Sequence, residues 1–232
     1  MMEAGLQPIE IGAHRGTLWI PKERGNGPWP LLCLCGGDMS ELLLELTADG
    51  PSYVIFAPEA DWERDYTPWP AKSLEGRAPF VGGGEEYLAY LTQEAIPFLE
   101  AQLPLKEKAE NRAIMGYSLG GLFALWAGYC WDGFGAIASL SGSLWYDGWM
   151  EFAKSHSPSP GTRVYLSLGK SEEHSSNDQM RRVGDCTRET AQLLADRLGE
   201  NQVTLEWNRG GHFTGIPNRW KKALGWWNRG LL

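Results

Sequence analysis

Ser118 sits between two glycines in the stretch GYSLG (116–120), with the apolar run RAIM before it and LFALWAGYC after it. A serine hydroxyl becomes a nucleophile when a base takes its proton, and the base needs an acid to orient it. The spacing Gly-x-Ser-x-Gly at a strand-to-helix junction is that of a nucleophile elbow. Such a turn strains the serine backbone and lifts its hydroxyl out of the sheet, while glycines at 116 and 120 relieve collisions with neighbouring elements. The helix beneath points its positive end at any developing negative charge. A plainer alternative is a glycine turn in which Ser118 only caps the helix.

Partners for the serine are few. In a chain of this layout the acid and then the histidine follow the serine. Of the four histidines, His14 precedes the core strands, and His156 and His174 precede the last strand. His212, in NRGGHFTG, follows the last expected strand directly within a glycine-rich turn, which makes it the candidate base. The preceding strand ends at Gly169 and leads into KSEEH, which offers Glu172 and Glu173. Adjacent side chains diverge, so one of the two faces His212 and the other serves a helix start.

These groups need a scaffold. LQPIEIGAHRGTLWIPK (6–22) reads as two short strands, followed by strands at 31–35, 53–58, 112–116, 135–140, 163–169 and 203–207. Helical spacing covers 39–46, 85–103 (bent at Pro97), 119–130, 178–198 and the closing RWKKALGWWNRGL. Strands alternating with helices predict a mostly parallel sheet with helices on both faces, in one α/β domain spanning 1–232. The long irregular connection at 58–84 breaks the alternation; its Trp62, Tyr66 and Trp69 predict a pocket wall rather than a wet loop.

Composition narrows the classes. A net charge of −8 without a basic stripe argues against nucleic-acid binding. No apolar run approaches bilayer-spanning length, and the N-terminus carries no signal-peptide pattern. Cys33, Cys35, Cys130 and Cys186 have neither zinc-ligand nor disulfide-scaffold spacing, so the expected compartment is the reducing cytoplasm. Cys33 and Cys35 share one face of a strand and are expected to pack as small hydrophobes.

In order along the chain, RDYTP (64–68), YLAYLTQEAIPFLEAQLP (87–104), GYSLGGLFAL (116–125), ASLSGSLWY (138–146), LGKSEEH and GGH resemble the esterase D-like family of α/β-hydrolases. That family includes feruloyl esterases, S-formylglutathione hydrolases and enterochelin-type siderophore esterases, and the resemblance covers roughly residues 30–220. It implies the α/β-hydrolase fold, Ser118 as nucleophile, His212 as base and Glu172 as acid. Some siderophore esterases of the group are described as working with a weakened or absent acid. The resemblance also implies an oxyanion hole made by the N–H groups of Leu119 and Gly37, with Cys35 of CGGD standing where many relatives carry His or Asp. No metal or organic cofactor is required.

The expected activity is a serine carboxylesterase acting on a small or aromatic ester. Trp145 and Tyr146, with Trp62, Tyr66 and Trp69, are candidate flat apolar walls for the substrate, against the alternative that they simply fill the core. S-formylglutathione hydrolases are usually longer, with a more elaborate loop system. A siderophore esterase needs a cationic pocket, for which only Arg64 and Arg77 of the long loop are available. An acyltransferase or a non-catalytic binding domain on the same fold are the remaining alternatives.

Overall fold

The computed structural model describes residues 2–22, 27–73 and 78–231; Arg77 lies outside them. Eight strands form one sheet in the order β1-β2-β4-β3-β5-β6-β7-β8. The hairpin β1 (Gly5–Ile11) and β2 (His14–Ile20) adds antiparallel to β4 (Val54–Pro58). The other strands, β3 (Leu31–Cys35), β5 (Arg112–Tyr117), β6 (Ala136–Leu140), β7 (Arg163–Gly169) and β8 (Val203–Asn208), run parallel to one another and to β4.

Side chains alternate along each strand, so the central strands feed two cores. In β3, Leu31, Cys33 and Cys35 enter one core, and Leu32 and Leu34 the other. The fully apolar run LLCLC suits a strand covered on both faces. The first core is closed by α2 (Gly84–Ala89), α3 (Ile96–Gln102), α4 (Leu119–Cys130), α5 (Trp149–Ser155) and α7 (Val183–Leu198). The second is closed by α1 (Ser40–Thr47) and α8 (Ile216–Asn228).

Local chemistry explains where the elements depart from the simple pattern. Between α2 and α3 the helix widens into a π-helical turn, Tyr90–Ala95, in which Ile96 N–H reaches back to Leu91 O. Pro97 follows at once and has no N–H to donate. The long helix expected at 178–198 is divided at Arg182 into α6 (Asp178–Arg181) and α7. The closing helix begins at Ile216, earlier than expected, with Pro217 in its first turn where a missing N–H costs nothing. Helix α5 was not expected from the sequence. It is one short amphipathic run that starts after Gly148, and Trp149 anchors it by donating from Nε1 to Thr190 Oγ1 of α7 at 3.0 Å.

Most of the tryptophans are structural. Trp149, Trp220 and Trp227 are among the largest fully buried side chains, and Trp19, Trp29, Trp126 and Trp226 are buried as well. The connection at 58–84 is not a wet loop in its described part. Asp65, Tyr66 and Thr67 are buried, and Ala71 and Phe80 pair across its base. Among the described residues, no helix is long and apolar enough to cross a membrane.

Candidate active site

Ser118 occupies the step between β5 and α4 with φ 58° and ψ −121°, a conformation that L-residues adopt only under constraint. Its N–H bonds Leu140 O of β6 at 3.0 Å, and its carbonyl accepts from Leu122 and Ser143 N–H at 3.1 and 3.0 Å. The flanking glycines permit this packing. A Cβ on Gly116 would lie 1.9 Å from Gly120 O, and one on Gly120 would lie 2.2 Å from Cys35 O. Strand, turn and helix therefore meet backbone to backbone, and the serine side chain is left facing a cavity.

His212 reaches that cavity from the turn after β8. Gly210 takes a positive φ of 79°, and Thr214 closes the turn by donating its N–H to Gly211 O at 3.1 Å and accepting from Gly211 N–H at 3.2 Å. From beneath, the Tyr117 hydroxyl donates to His212 O at 2.5 Å. His212 Nε2 lies 3.0 Å from Ser118 Oγ, and Nδ1 lies 2.7 Å from Glu172 Oε2. Facing a carboxylate, Nδ1 carries the hydrogen, which leaves the Nε2 lone pair for the serine hydroxyl.

Glu172 follows β7 in a single 3₁₀ turn, Glu172–His174, and its side chain is only 5% exposed. Its two oxygens have separate partners. Oε1 accepts from Gly169 N–H at 2.7 Å, Ser141 Oγ at 2.7 Å and Arg219 Nη1 at 2.9 Å; Oε2 faces the imidazole. Burial pushes the carboxyl pKa up, but the hydrogen bond and charge of His212, with the bonds from Ser141 and Arg219, outweigh it and hold the group below its ordinary value. Glu173 turns the other way and pairs with Arg188 of α7 at 2.5 Å. Of the remaining histidines, His14 stacks on Tyr90 and His156 on Phe152.

The cavity above Ser118 has a volume of about 380 Å³, within the range of small-molecule sites. Trp145 lines it together with Trp62, Phe80, Met180, Val183 and Phe213, and Ser118, Leu119, Glu172 and His212 line it as well. Tyr66 and Trp69 do not line it, against the expectation from sequence. Tyr66 is fully buried behind the loop after β3, where its hydroxyl donates to Gly36 O at 3.1 Å. Trp69 packs on Tyr146 and Phe152 and donates from Nε1 to Asp147 O at 2.8 Å, which ties the long connection to the segment before α5. Tyr146 is likewise core, its hydroxyl donating to Trp69 O at 2.6 Å.

The Tyr66 contact orients the loop after β3. In a trans peptide C=O and N–H point opposite ways, so turning Gly36 O toward Tyr66 turns Gly37 N–H away from it. Among the described residues, neither Gly37 N–H nor Leu119 N–H has a protein acceptor. Sequence reasoning missed Arg219, Ser141 and Tyr117, which hold Glu172 and the turn that carries His212. For Arg219 a signal existed: it shares the apolar face of α8 with the buried Trp220, Ala223 and Trp227.

A central parallel sheet, a serine on the sharp turn between a middle strand and its helix, and a histidine just past the last strand define an α/β-hydrolase. The chain is a carboxylic ester hydrolase and belongs to the family described as Putative esterase, which it matches over residues 34–224. Over its near-full length it is similar to the uncharacterized protein YbbA of Bacillus subtilis, with 30% identity covering 97% of this chain and 96% of that one. The fold is similar to that of the siderophore hydrolase EstA from Aspergillus nidulans, with a TM-score of 0.78, 17% identity, and 98% and 95% of the two chains covered. It is also similar to the enterobactin esterase FES from Shigella flexneri, solved in the presence of enterobactin. The TM-score there is 0.75 at 19% identity, and 99% of this chain covers 61% of that one.

Proposed function

We propose that this protein is a serine carboxylesterase in which Ser118, His212 and Glu172 act as nucleophile, base and acid. The observation that carries the reading is the unbroken chain from Ser118 Oγ through the imidazole to Glu172, at 3.0 and 2.7 Å, with the serine on a strained turn. His212 Nε2 takes the hydroxyl proton as Ser118 Oγ attacks the ester carbonyl carbon, and Glu172 stabilises the imidazolium that forms. The Gly37 and Leu119 amides hold the tetrahedral oxyanion; in other serine hydrolases one such donor is worth about 10²- to 10³-fold in rate. As the intermediate collapses, the C–O bond to the alcohol breaks and His212 returns the proton to the leaving oxygen. Water then attacks the acyl-enzyme, gives its proton to His212, and releases the carboxylic acid as the proton returns to Ser118 Oγ.

The substrate that suits the cavity is a small ester with an aromatic or bulky apolar group. Trp145, Phe80, Met180 and Val183 offer an apolar surface beside the serine, and Phe213 is 86% exposed at the rim. A siderophore ester is the second reading, favoured by the two solved structures whose names describe siderophore and enterobactin hydrolysis. Arg64, which that reading would use, is already engaged by Asp65 and Glu86. The four free cysteines support placing the reaction in the cytoplasm.

Fluorophosphonate labelling with peptide mass spectrometry tests the nucleophile. The expected result is one adduct, on Ser118; an adduct elsewhere overturns the assignment. Aryl esters and a catecholate siderophore ester, compared by kcat/KM, separate the two substrate readings.

A further inference from the structure

Arg219 is the one guanidinium among the described residues that is in contact with Glu172, and its side chain is 1% exposed. A buried cation is retained only where hydrogen bonds and an opposite charge compensate its desolvation. Here Nη1 serves Glu172 Oε1 at 2.9 Å, the Tyr117 hydroxyl oxygen at 3.1 Å and Ser141 Oγ, while Nη2 donates to Gly211 O at 2.7 Å. One planar group thus touches the acid, the residue just before the histidine, and the tyrosine that holds the histidine carbonyl. It comes from α8, an element that contributes nothing else to this hydrogen-bonded chain.

We propose that Arg219 is a positioning residue that grips Glu172 with one nitrogen and the histidine turn with the other, keeping Oε2 in line with Nδ1. The proposal rests on reading Glu172 as the acid and His212 as the base. The geometry favours a fork over a point charge. A lysine has a single Nζ and cannot span Glu172 Oε1 and Gly211 O as two guanidinium nitrogens do.

Arg219→Met removes both fork and charge. The expected result is a kcat roughly 10- to 100-fold lower with KM within about threefold, because misalignment of the acid affects the chemical step rather than substrate binding. Wild-type kcat, or a lowered kcat matched by a comparable rise in KM in a folded variant, overturns the proposal in favour of a scaffold role. Arg219→Lys covers the case in which the Met variant does not fold. It keeps the charge and should still lose roughly three- to thirtyfold in kcat with KM within about threefold, and wild-type kcat there overturns the proposal. Glu172→Gln separates the two possible failures. Unchanged kcat in that variant removes the acid and the Arg219 role with it. A large loss there beside an unaffected Arg219→Met removes the Arg219 role alone.

Discussion

Ser118 is positioned by backbone against backbone, where its own strand, turn and helix meet the backbones of Cys35 in β3, Leu140 in β6 and Ser143. Glu172 and His212 are positioned mostly by side chains, Tyr117 at the end of β5, Ser141 after β6 and Arg219 of α8, with the Gly169 N–H of β7, from elements that are far apart in sequence. At the elbow the constraint is steric, as the 1.9 and 2.2 Å approaches at Gly116 and Gly120 make plain. At the acid the constraint is polar, with three donors on Glu172 Oε1 and one on Oε2. Steric constraints fail by costing stability alone, whereas losing the polar alignment costs rate and also leaves the buried Arg219 charge uncompensated. The two ends should therefore respond differently to mutation.

The largest effect is expected from Ser118→Ala, which removes the proposed nucleophile and leaves the elbow intact. Activity should fall by about 10⁴-fold or more, fluorophosphonate labelling should vanish, and the urea midpoint should stay close to wild type. Substantial residual turnover would break the comparison at its first term.

Next comes Glu172→Gln, which keeps the volume and removes the charge. Turnover should fall by at least about 10²-fold, measured as kcat on an aryl ester, while circular dichroism remains native. The same variant isolates a pH effect on stability. Because the folded carboxyl is held below the usual 4.5, its contribution is present above its unfolded value and disappears as pH falls through the lower, folded value. Urea midpoints of wild type should therefore drop more steeply below about pH 4.5 than those of Glu172→Gln. Parallel curves would show that the carboxylate network does not stabilise the fold.

Gly120→Ala addresses the steric end. Forcing a methyl group toward Cys35 O should cost about 1–3 kcal/mol of stability, read from the urea midpoint, because neither backbone can give way cheaply. A variant as stable as wild type would mean that the turn has more room than its glycines suggest.

The smallest effect is expected at Glu173, whose partner is the half-exposed Arg188. Glu173→Gln should stay within about threefold of wild-type kcat and within about 1 kcal/mol in stability, as for other surface ion pairs. A loss comparable with that of Glu172→Gln would move the acid to Glu173.

What the sequence determined by itself was whatever adjacent residues enforce on one another. Short apolar stretches such as LLCLC and AIM read as buried strands, and the alternation of strand and helix implied a parallel sheet. Glycines two residues either side of Ser118 marked the elbow; the clash that Gly116 avoids, with Gly120 O, lies within that same local turn, although the one that Gly120 avoids is with Cys35 O of β3. The order of serine, glutamates and histidine along the chain also pointed to the groups that the fold brings together. Tertiary structure decided everything that depends on which faces meet. It separated Glu172 from Glu173, since adjacent side chains diverge and only the docking of β8 and α7 says what each one finds. It moved Tyr66 behind the loop after β3 and Trp69 onto Tyr146 and Phe152, because an aromatic ring packs equally well into a core or against a ligand. It also brought Arg219 under the acid, 47 residues along the chain. An arginine within an apolar helical face shows only that some buried anion must meet it, and α8 had to lie across the ends of β5 and β7 before that anion was Glu172.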